Sequence, residues 1–565
     1  PMSRPSVAAA LAEAMEAGIV EEREVLLDGR HVPGHGFRHP LVRLACAERL
    51  TGAVRAGLHA AYADAVLRHR SEAVDAAAYH LTRARDARAV PFLWRAARRA
   101  QALYANESAA GYYADLVALL GGGEEAARAR LAWGDALRSI GKYGEAERAL
   151  TEALAAFRTL EDRSALRLTA GGRAADRVTA TVAHLAEVLV GAGRPAEARE
   201  LLAAQPADGA GVGAATTAAH HLAEALACFA TGRYEQALAA ATAGMRRARE
   251  AEPGEGRRLL VRALASRSVS LAMLGRIPEA EEAATSALAP AEEIGDAVLE
   301  GTVVAQLGEL ANLDGRPAEA RRHARRALEL AKRVGDPAVV AFRTGNLGRL
   351  HLVVGDWAAG LRLVRSAVSL ARPLGTAWCL PYALVNLGAA RLWTGDAEGA
   401  AVCLAESVEL AESTGDRQVL ADARTLLAEL AVTAGGLAAE VEPGVRARAL
   451  LAAGDAEGAA TAAEQAVRQA GQRGPAAVEA ALVHGMALAA AGLKGRAVEV
   501  LSEGVECAEA MPYPYGLVRL LEARAGAGAE SARRDLARAA RLRAELAAAA
   551  REAGYSPVPA AVRDR

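Results

Sequence analysis

Aromatic residues are scarce in this chain. They make up 4% of its 565 residues, whereas hydrophobic residues as a whole make up 52%. A core of that size must be built mainly from alanine and leucine. Alanine packed on alanine requires helices that approach each other closely, so the composition favours an all-α protein.

An excess of charge of one sign and paired cysteines are also lacking. The chain has 67 basic and 68 acidic residues and so lacks the excess of positive charge that binding to a phosphate backbone requires. We therefore expect no direct contact with nucleic acid. No CxxC pair occurs, which predicts reduced, buried cysteines in a cytoplasmic protein rather than a disulfide framework or a metal site. The cysteines in question are Cys46, Cys228, Cys379, Cys403 and Cys507.

Long apolar runs and catalytic motifs are missing as well. No run reaches the ~18 residues of a membrane span, and the first residues lack a signal-peptide pattern. GxxxxGK[ST], GxSxG and HExxH do not occur, so we predict that the chain is not an enzyme and has no cofactor of its own. His220 and His221 are adjacent, and neighbours on a helix diverge by about 100°, which predicts no metal site there.

What the chain does contain is a repeat. Gly315, Gly355 and Gly395 lie 40 residues apart within similar stretches of sequence. A glycine can adopt the left-handed conformation that ends a helix, and the Asp after it can cap the next helix, as Asp356, Asp396 and Asp455 are placed to do. Further turns of this kind are predicted at Gly141, Gly193, Gly232, Gly275, Gly435 or Gly454, and Gly492. The pattern predicts an array of helix hairpins.

Small residues recur where such helices must cross. Gly308, Gly348 and Gly388 precede the turns by seven residues, and Ala280, Ala320 and Ala400 follow the turns by five. Together with KYGEAERALTEAL (142–154) and RYEQALAAATAGM (233–245), this pattern resembles the tetratricopeptide repeat. The resemblance implies an all-α, right-handed superhelical solenoid of about nine or ten hairpins over 123–528. We predict interruptions near 169–177, 203–216 and 435–444, and a capping helix with a tail over 529–565.

The first residues follow another pattern. A helix, two short strands with a turn at Asp28-Gly29, and a helix from Pro40 predict a winged-helix segment over 1–70, followed by a helical linker over 71–122. FRHPLVRLACAERL (37–50) resembles the winged helix after the nucleotide-binding domain of signal-transduction ATPases with numerous domains, the group of MalT and the large ATP-binding LuxR-type regulators. The resemblance implies that His39, beside Arg38, senses ATP or ADP bound to an NTPase domain outside this chain. Leu44 departs from the expected acidic residue, and the alternative is that His39 only caps the helix that starts at Pro40.

The groove of the array offers candidate binding residues. Gln306, Asn346 and Asn386 recur two residues before the in-phase glycines, and amides that both donate and accept suit an extended peptide backbone. The same faces are predicted to present Arg262, Glu309, Asn312, Phe342, Arg349, Tyr382 and Trp393. In the alternative interpretation the amides bond neighbouring helix backbones and the aromatic residues fill gaps between units.

These patterns together predict the sensor arm of a cytoplasmic signal-transduction ATPase, a transcriptional regulator whose NTPase domain is absent from this chain. A protein, a peptide or a small-molecule effector would occupy the groove, and the protein's own NTPase domain would be a second partner. Two alternatives stay open. The chain would otherwise be a free-standing tetratricopeptide adaptor or the regulatory arm of a class III nucleotide cyclase.

Overall fold

The computed structural model describes residues 4–27, 30–69, 73–166, 171–207, 209, 211–374, 378–414, 416–433, 442–471 and 473–552. The structure is 84% helical and confirms the predicted all-α class. It divides into two compact units, Pro1–Ala129 and Arg130–Arg565, which are described separately. Within the described ranges, no helix is both long and apolar enough to cross a membrane.

The first unit contains the predicted hairpin. Strands β1 and β2 pair antiparallel, with Val20 opposite Phe37, while the predicted turn at 28–29 lies outside the described residues. The elements are α1 (Arg4–Glu16), β1 (Val20–Leu27), β2 (Arg30–Phe37), α2 (Pro40–Glu48), α3 (Gly52–His69), α4 (Val74–Arg83), α5 (Ala89–Ala102) and α6 (Asn106–Leu120). The order of helix, hairpin and helix is confirmed, and its assignment as a winged helix stays a prediction.

The second unit is a series of helix hairpins, and α7 leads into it from the first unit. Its helices are α7 (Gly123–Ser139), α8 (Tyr143–Leu166), α9 (Gly171–Gly191), α10 (Pro195–Ala204), α11 (Ala214–Ala230), α12 (Tyr234–Glu250), α13 (Pro253–Met273), α14 (Ile277–Ile294), α15 (Ala297–Leu313), α16 (Pro317–Val334), α17 (Pro337–Val353), α18 (Trp357–Ala371), α19 (Cys379–Thr394), α20 (Ala397–Thr414), α21 (Arg417–Thr433), α22 (Pro443–Ala452), α23 (Ala456–Ala470), α24 (Pro475–Ala490), α25 (Lys494–Ala510), α26 (Pro514–Gly526) and α27 (Ala532–Glu552).

The turn chemistry predicted from the repeats is present. Gly315, Gly355 and Gly395 have φ of 70°, 85° and 88°, the left-handed region that glycine tolerates best. The Asp396 carboxylate accepts a hydrogen bond from the backbone N–H of Gly399 at 2.9 Å and so caps α20. Of the two candidates for the next turn, Gly454 adopts this conformation, whereas Gly435 lies outside the described residues.

The three predicted interruptions of the array agree with the structure to different extents. The loop expected at 169–177 is wrong from residue 171 onward, because 171–177 form the start of α9, where Ala174 and Val178 are buried. Between α10 and α11 the described residues 205–207, 209 and 211–213 are not helical, which agrees with the predicted 203–216, while 208 and 210 lie outside the described residues. In the third interruption, residues 435–441 lie outside the described part, and α22 begins at Pro443.

The cysteines are free, as predicted, but not all of them are buried. Cys228, Cys379 and Cys403 are buried and Cys507 is half-buried, whereas Cys46 is exposed. The expectation of burial is wrong for Cys46 because α2 buries none of its residues.

The array of hairpins is curved, and the first helix of each hairpin lies on the inside of the curve. Helices α11, α13 and α15 pack on one another in sequence, as do α17, α19 and α21. In the described part, the second helices of neighbouring hairpins, from α12 to α20, do not pack on one another to this extent. An array bends toward the side on which its helices lie closer, so the first helices form the concave surface, which we call the inner face.

The array also winds far enough to contact itself. The Arg417 guanidinium donates to the carbonyl of Thr231 at 3.4 Å, although the two lie 186 residues apart. A Cβ on Gly193 would lie 2.4 Å from the Thr414 carbonyl oxygen, and one on Gly355 would lie 2.6 Å from Pro514 Cγ. We call this line of contact between successive turns of the superhelix the seam.

Candidate functional site

Three amides lie at equivalent positions of the first helices α15, α17 and α19. We call Gln306, Asn346 and Asn386 the amide ladder. None of the three side chains makes a hydrogen bond with any residue in the described part, and the Gln306 Oε1 atom is buried without a partner. The alternative in which these amides bond neighbouring helix backbones is therefore not what the structure shows. Amides without an internal partner leave hydrogen-bonding groups unsatisfied, and a ligand on the inner face would satisfy them.

Asn386 shows how closely the ladder helices approach. Its side chain is 7% exposed, and its Nδ2 lies 3.2 Å from the point that a Cβ on Gly345 would occupy. The absence of a side chain at Gly345 thus makes room for the Asn386 amide between α17 and α19.

A pair of opposite charges lies one turn beyond the ladder. Glu309 on α15 accepts a hydrogen bond from Arg349 on α17, both at the predicted groove positions. The equivalent residue of α19 is Ala389, so the pairing stops there. Asp422 of α21 is an acidic side chain near this pair, and it makes no ion pair within the described residues.

The pKa of Asp422 reflects this position. Its side chain is open to solvent, yet the surrounding walls of the groove reduce its hydration and raise its pKa to about 6. Arg349 opposes this rise, and the carboxylates of Asp416 and Glu309 add to it.

Arg343 is an inner-face cation that the sequence reasoning missed. It makes no ion pair or hydrogen bond within the described residues, and its guanidinium lies 5.2 Å from the centre of the Phe342 ring. Burial lowers the pKa of Arg343 to about 10, with Glu309 acting in the opposite direction. Its position three residues before Asn346, on the same helix face, is the signal that would have found it.

The predicted aromatic residues separate into two groups. Phe342 meets Tyr382 and Trp378 edge to face, with ring centres 5.2 Å and 5.5 Å apart, beside the ladder. Trp393 instead stacks on Tyr515 of α26 at 5.5 Å, in a contact between superhelical turns. The alternative of gap filling therefore describes Trp393.

Of two further predicted groove residues, Arg262 has an ion-pair partner and Asn312 is buried near the seam. Arg262 pairs at 2.5 Å with Glu187 of α9, whose carboxylate also lies 3.6 Å from Arg138. Asn312 is 5% exposed, close to the point where the Leu313 carbonyl faces Gly474 across the seam. The structure does not bring these two residues together with the ladder.

The candidates in the first unit lie at the start of α2. His39 is exposed, and its Nδ1 accepts a hydrogen bond from the backbone N–H of Leu41 at 3.2 Å, which caps the helix. Arg38 is also exposed and lies 3.6 Å from Glu21. The capping role is thus observed for His39, while nucleotide sensing stays a prediction.

The adjacent histidines differ from expectation. Ligand atoms of His220, His221 and Glu224 all lie within 4.8 Å of one another, closer than the divergence of neighbouring helix residues suggests, and the absence of a metal site there stays a prediction. The rings of His220 and His221 are nearly perpendicular, with centres 6.2 Å apart, and His221 Nδ1 lies 3.4 Å from Glu224 Oε2. Burial lowers the pKa of His220 and favours its neutral form.

Comparison with known proteins gives structural similarity alone. No family model and no curated protein matches the sequence. A Rap protein complexed with competence and sporulation factor aligns at 12% identity over 76% of this chain and 100% of its own, with a TM-score of 0.45. The apo form of RapI aligns at 11% identity over 68% of this chain and 97% of its own, with a TM-score of 0.39.

A third similar structure is a signal transduction ATPase with numerous domains from Pyrococcus horikoshii that carries a tetratricopeptide repeat sensor. It aligns at 16% identity over 65% of this chain and 52% of its own, with a TM-score of 0.36. The fold is a tetratricopeptide-like helical-repeat solenoid. That fold rests on the helix hairpins and glycine turns described above, and the ligand is argued from the site.

Proposed function

We propose that this chain binds an extended peptide segment of a partner or effector along its inner face, with the amide ladder holding the peptide main chain. The observation that carries this proposal is the ladder itself, three amides at one position of three successive units, with no internal hydrogen bond. Each side chain can donate one bond and accept another, which matches the alternating N–H and C=O groups of an extended chain.

The groups around the ladder supply specificity. Arg343 is a cation without an ion pair and suits a carboxylate of the peptide, because a guanidinium binds a carboxylate in a two-bond fork. Phe342 and Tyr382 offer apolar contact beside it. Asp422 provides the opposite charge further along the inner face. The ligand expected here is a peptide with at least one acidic and one apolar side chain.

The wider role follows from the predicted N-terminal segment. In this proposal the array is the sensor arm of a cytoplasmic signal-transduction ATPase that regulates transcription, and its NTPase domain lies outside this chain. The arm is not catalytic and needs no cofactor. Ligand binding changes the winding of the array, because a peptide that contacts several first helices fixes their spacing.

A peptide selection tests the proposal. A displayed library of linear peptides is panned on the wild-type chain, and the affinity of selected peptides is measured by fluorescence anisotropy. The ladder variant carries Gln306→Ala, Asn346→Ala and Asn386→Ala. We expect this variant to bind at least ~10-fold more weakly, since each lost hydrogen bond is worth roughly 0.5–1.5 kcal/mol.

A matched control uses the outer helices of the same three hairpins. Glu329→Ala, Ser366→Ala and Glu409→Ala change exposed residues of α16, α18 and α20. This variant should keep wild-type affinity. Equal affinity of the ladder and outer variants, or a library that yields no binder, would show that the proposal is wrong.

A further inference from the structure

A cavity lies on the seam, next to the end of the ladder, since its lining residue Tyr382 is one helical turn before Asn386. It has a volume of about 210 Å³ and is enclosed by two stretches of chain that are distant in sequence, one from the α9–α12 region and one from the α19–α21 region. Its aromatic and charged lining residues are Phe229, Tyr234, Trp378, Tyr382, Asp416 and Arg417. We call this cavity the seam pocket. Sites for drug-sized ligands are typically ~300 Å³ or larger, so the seam pocket suits a smaller molecule.

Aromatic rings face the seam pocket from both turns of the superhelix. Phe229 and Tyr234 lie together on the earlier turn, with ring centres 5.4 Å apart. Trp378 and Tyr382 come from the later turn, and each packs edge to face on Phe342. All four lining rings are half-buried, which leaves part of each ring in contact with the cavity.

An acidic side chain, that of Asp416, lies beside these rings. Asp416 lines the cavity, and one of its carboxylate oxygens caps α21 by accepting bonds from the backbone N–H groups of Gln418 and Val419, each at 3.1 Å. Burial and the carboxylates of Asp416 and Asp422 raise the pKa of both Tyr234 and Tyr382. Arg417 also lines the cavity, but its guanidinium is directed at the carbonyl of Thr231 across the seam.

We propose that the seam pocket binds a small organic ammonium ion between the aromatic rings and the Asp416 carboxylate. An ammonium group is attracted to the negative faces of aromatic rings, and the attraction strengthens when the group is removed from water. A carboxylate at the rim adds direct charge complementarity. A carboxylate or phosphate ligand would meet Asp416 and the ring faces, both of which repel anions.

Binding there has a mechanical consequence. The rings belong to two turns of the superhelix that otherwise meet through close backbone contacts and the bond from Arg417 to Thr231. An ion held by rings of both turns closes the seam and opposes unwinding of the array. The seam pocket therefore couples a small cation to the curvature of the inner face. Because Tyr382 lines the pocket and also packs on Phe342 beside the ladder, the pocket is tested with a small cation alone, in the absence of peptide.

Choline and its uncharged carbon analogue 3,3-dimethylbutan-1-ol provide the direct test. The two have nearly the same shape and differ in charge, and both are titrated into the full chain by isothermal calorimetry. We expect choline to bind at least ~10-fold more tightly than the alcohol, because only the cation is attracted to the aromatic rings and to the Asp416 carboxylate. Hydrogen exchange with choline should slow at 190–195 and 414–418, on the two sides of the seam.

Variants locate the site. Trp378→Leu removes a lining ring, and Asp416→Asn removes the charge but keeps an oxygen that can cap α21. Each should weaken choline binding roughly 5-fold or more. Trp393→Leu, which alters a tryptophan that stacks on Tyr515, and the ladder variant should both leave choline binding unchanged. Equal binding of choline and the alcohol, no binding of either, or indifference to Trp378→Leu and Asp416→Asn would overturn the proposal.

Discussion

At the scale of single residues, Glu479 of α24 joins three first helices. Its carboxylate accepts hydrogen bonds from Arg448 of α22 at 2.7 Å and from Arg519 of α26 at 2.8 Å, and the Tyr513 hydroxyl donates to it at 3.1 Å. Burial alone would raise the pKa of Glu479, but the two guanidinium groups lower it. The carboxylate is therefore ionised and stabilises the last part of the array.

We expect Glu479→Ala to lower the free energy of unfolding by about 2–3 kcal/mol, because Arg519 loses its charged acceptor. Urea unfolding followed by circular dichroism measures this change. Glu503→Ala alters an exposed residue of α25 and should stay within ~0.5 kcal/mol of wild type. A similar loss in both variants would contradict the role given to Glu479.

The raised pKa of Asp422 predicts that this group destabilises the folded chain at high pH, whereas a carboxylate in an ion pair destabilises it at low pH. Its pKa is raised to about 6 in the folded chain, so the folded state binds the proton more tightly than the unfolded chain does. The contribution of Asp422 to the free energy of unfolding is therefore greatest below the pKa that its carboxyl has in the unfolded chain. That contribution is lost as the pH rises through about 6. The groups that act on it are Arg349, Asp416, Glu309 and Glu442, with Tyr234 and Tyr382 nearby.

Asp422→Asn should consequently melt at a higher temperature than wild type at about pH 8, and the difference should disappear below about pH 4. Thermal melts across this range give the result. A variant that is less stable than wild type at about pH 8 would show that the ionised carboxylate is stabilised by a partner.

At the scale of elements, the same close crossing recurs in four of the hairpins. The spacing between a glycine of the first helix and a branched or small residue of the second helix is constant at 16 residues. A Cβ on the glycine would lie within 2.8 Å of that residue in Gly134–Leu150, Gly348–Val364, Gly388–Leu404 and Gly485–Leu501. The sequence predicted Gly348 and Gly388 at these crossings but missed Gly134, Gly485 and the branched partners, because leucine and valine are common at buried helix positions.

Gly485→Ala should cost about 1–3 kcal/mol of stability, since the new methyl group would lie 2.3 Å from Cγ of the fully buried Leu501. Gly495→Ala in the second helix of the same hairpin meets no atom within 4 Å and should be neutral or stabilise by up to ~1 kcal/mol. Chemical unfolding of the pair measures both effects. If Gly485→Ala is as stable as Gly495→Ala, the crossing is looser than described.

At the scale of the whole molecule, local patterns predicted the hairpins but not how far the array winds. Gly315, Gly355 and Asp396 define turns and caps through their own backbones, so their roles can be read from neighbouring residues. The seam joins residues such as Thr231 and Arg417, which share no repeat position, and no local pattern indicates that they meet. The seam pocket was missed for that reason.

In the candidate site, too, the sequence predicted the residues that recur with the repeat and not the contacts between irregular units. The amide ladder was predicted because it recurs in phase with the turns, and the pairing of Glu309 with Arg349 follows from the same phase. Arg262 was assigned to the groove, yet it bonds Glu187, a residue outside the regular 40-residue spacing. Periodicity thus identified which residues share a face, whereas partners from irregular units depend on the three-dimensional packing.

The central claim, that a peptide lies on the inner face, is tested most directly by photo-crosslinking. A benzophenone amino acid replaces Asn346 on α17 or, in the matched protein, Ser366 on the outer helix α18 of the same hairpin. Each protein is irradiated with a peptide from the selection. Crosslinks from position 346 with none from position 366 are the predicted result. Crosslinks from position 366 alone, or equally from both positions, would contradict binding on the inner face.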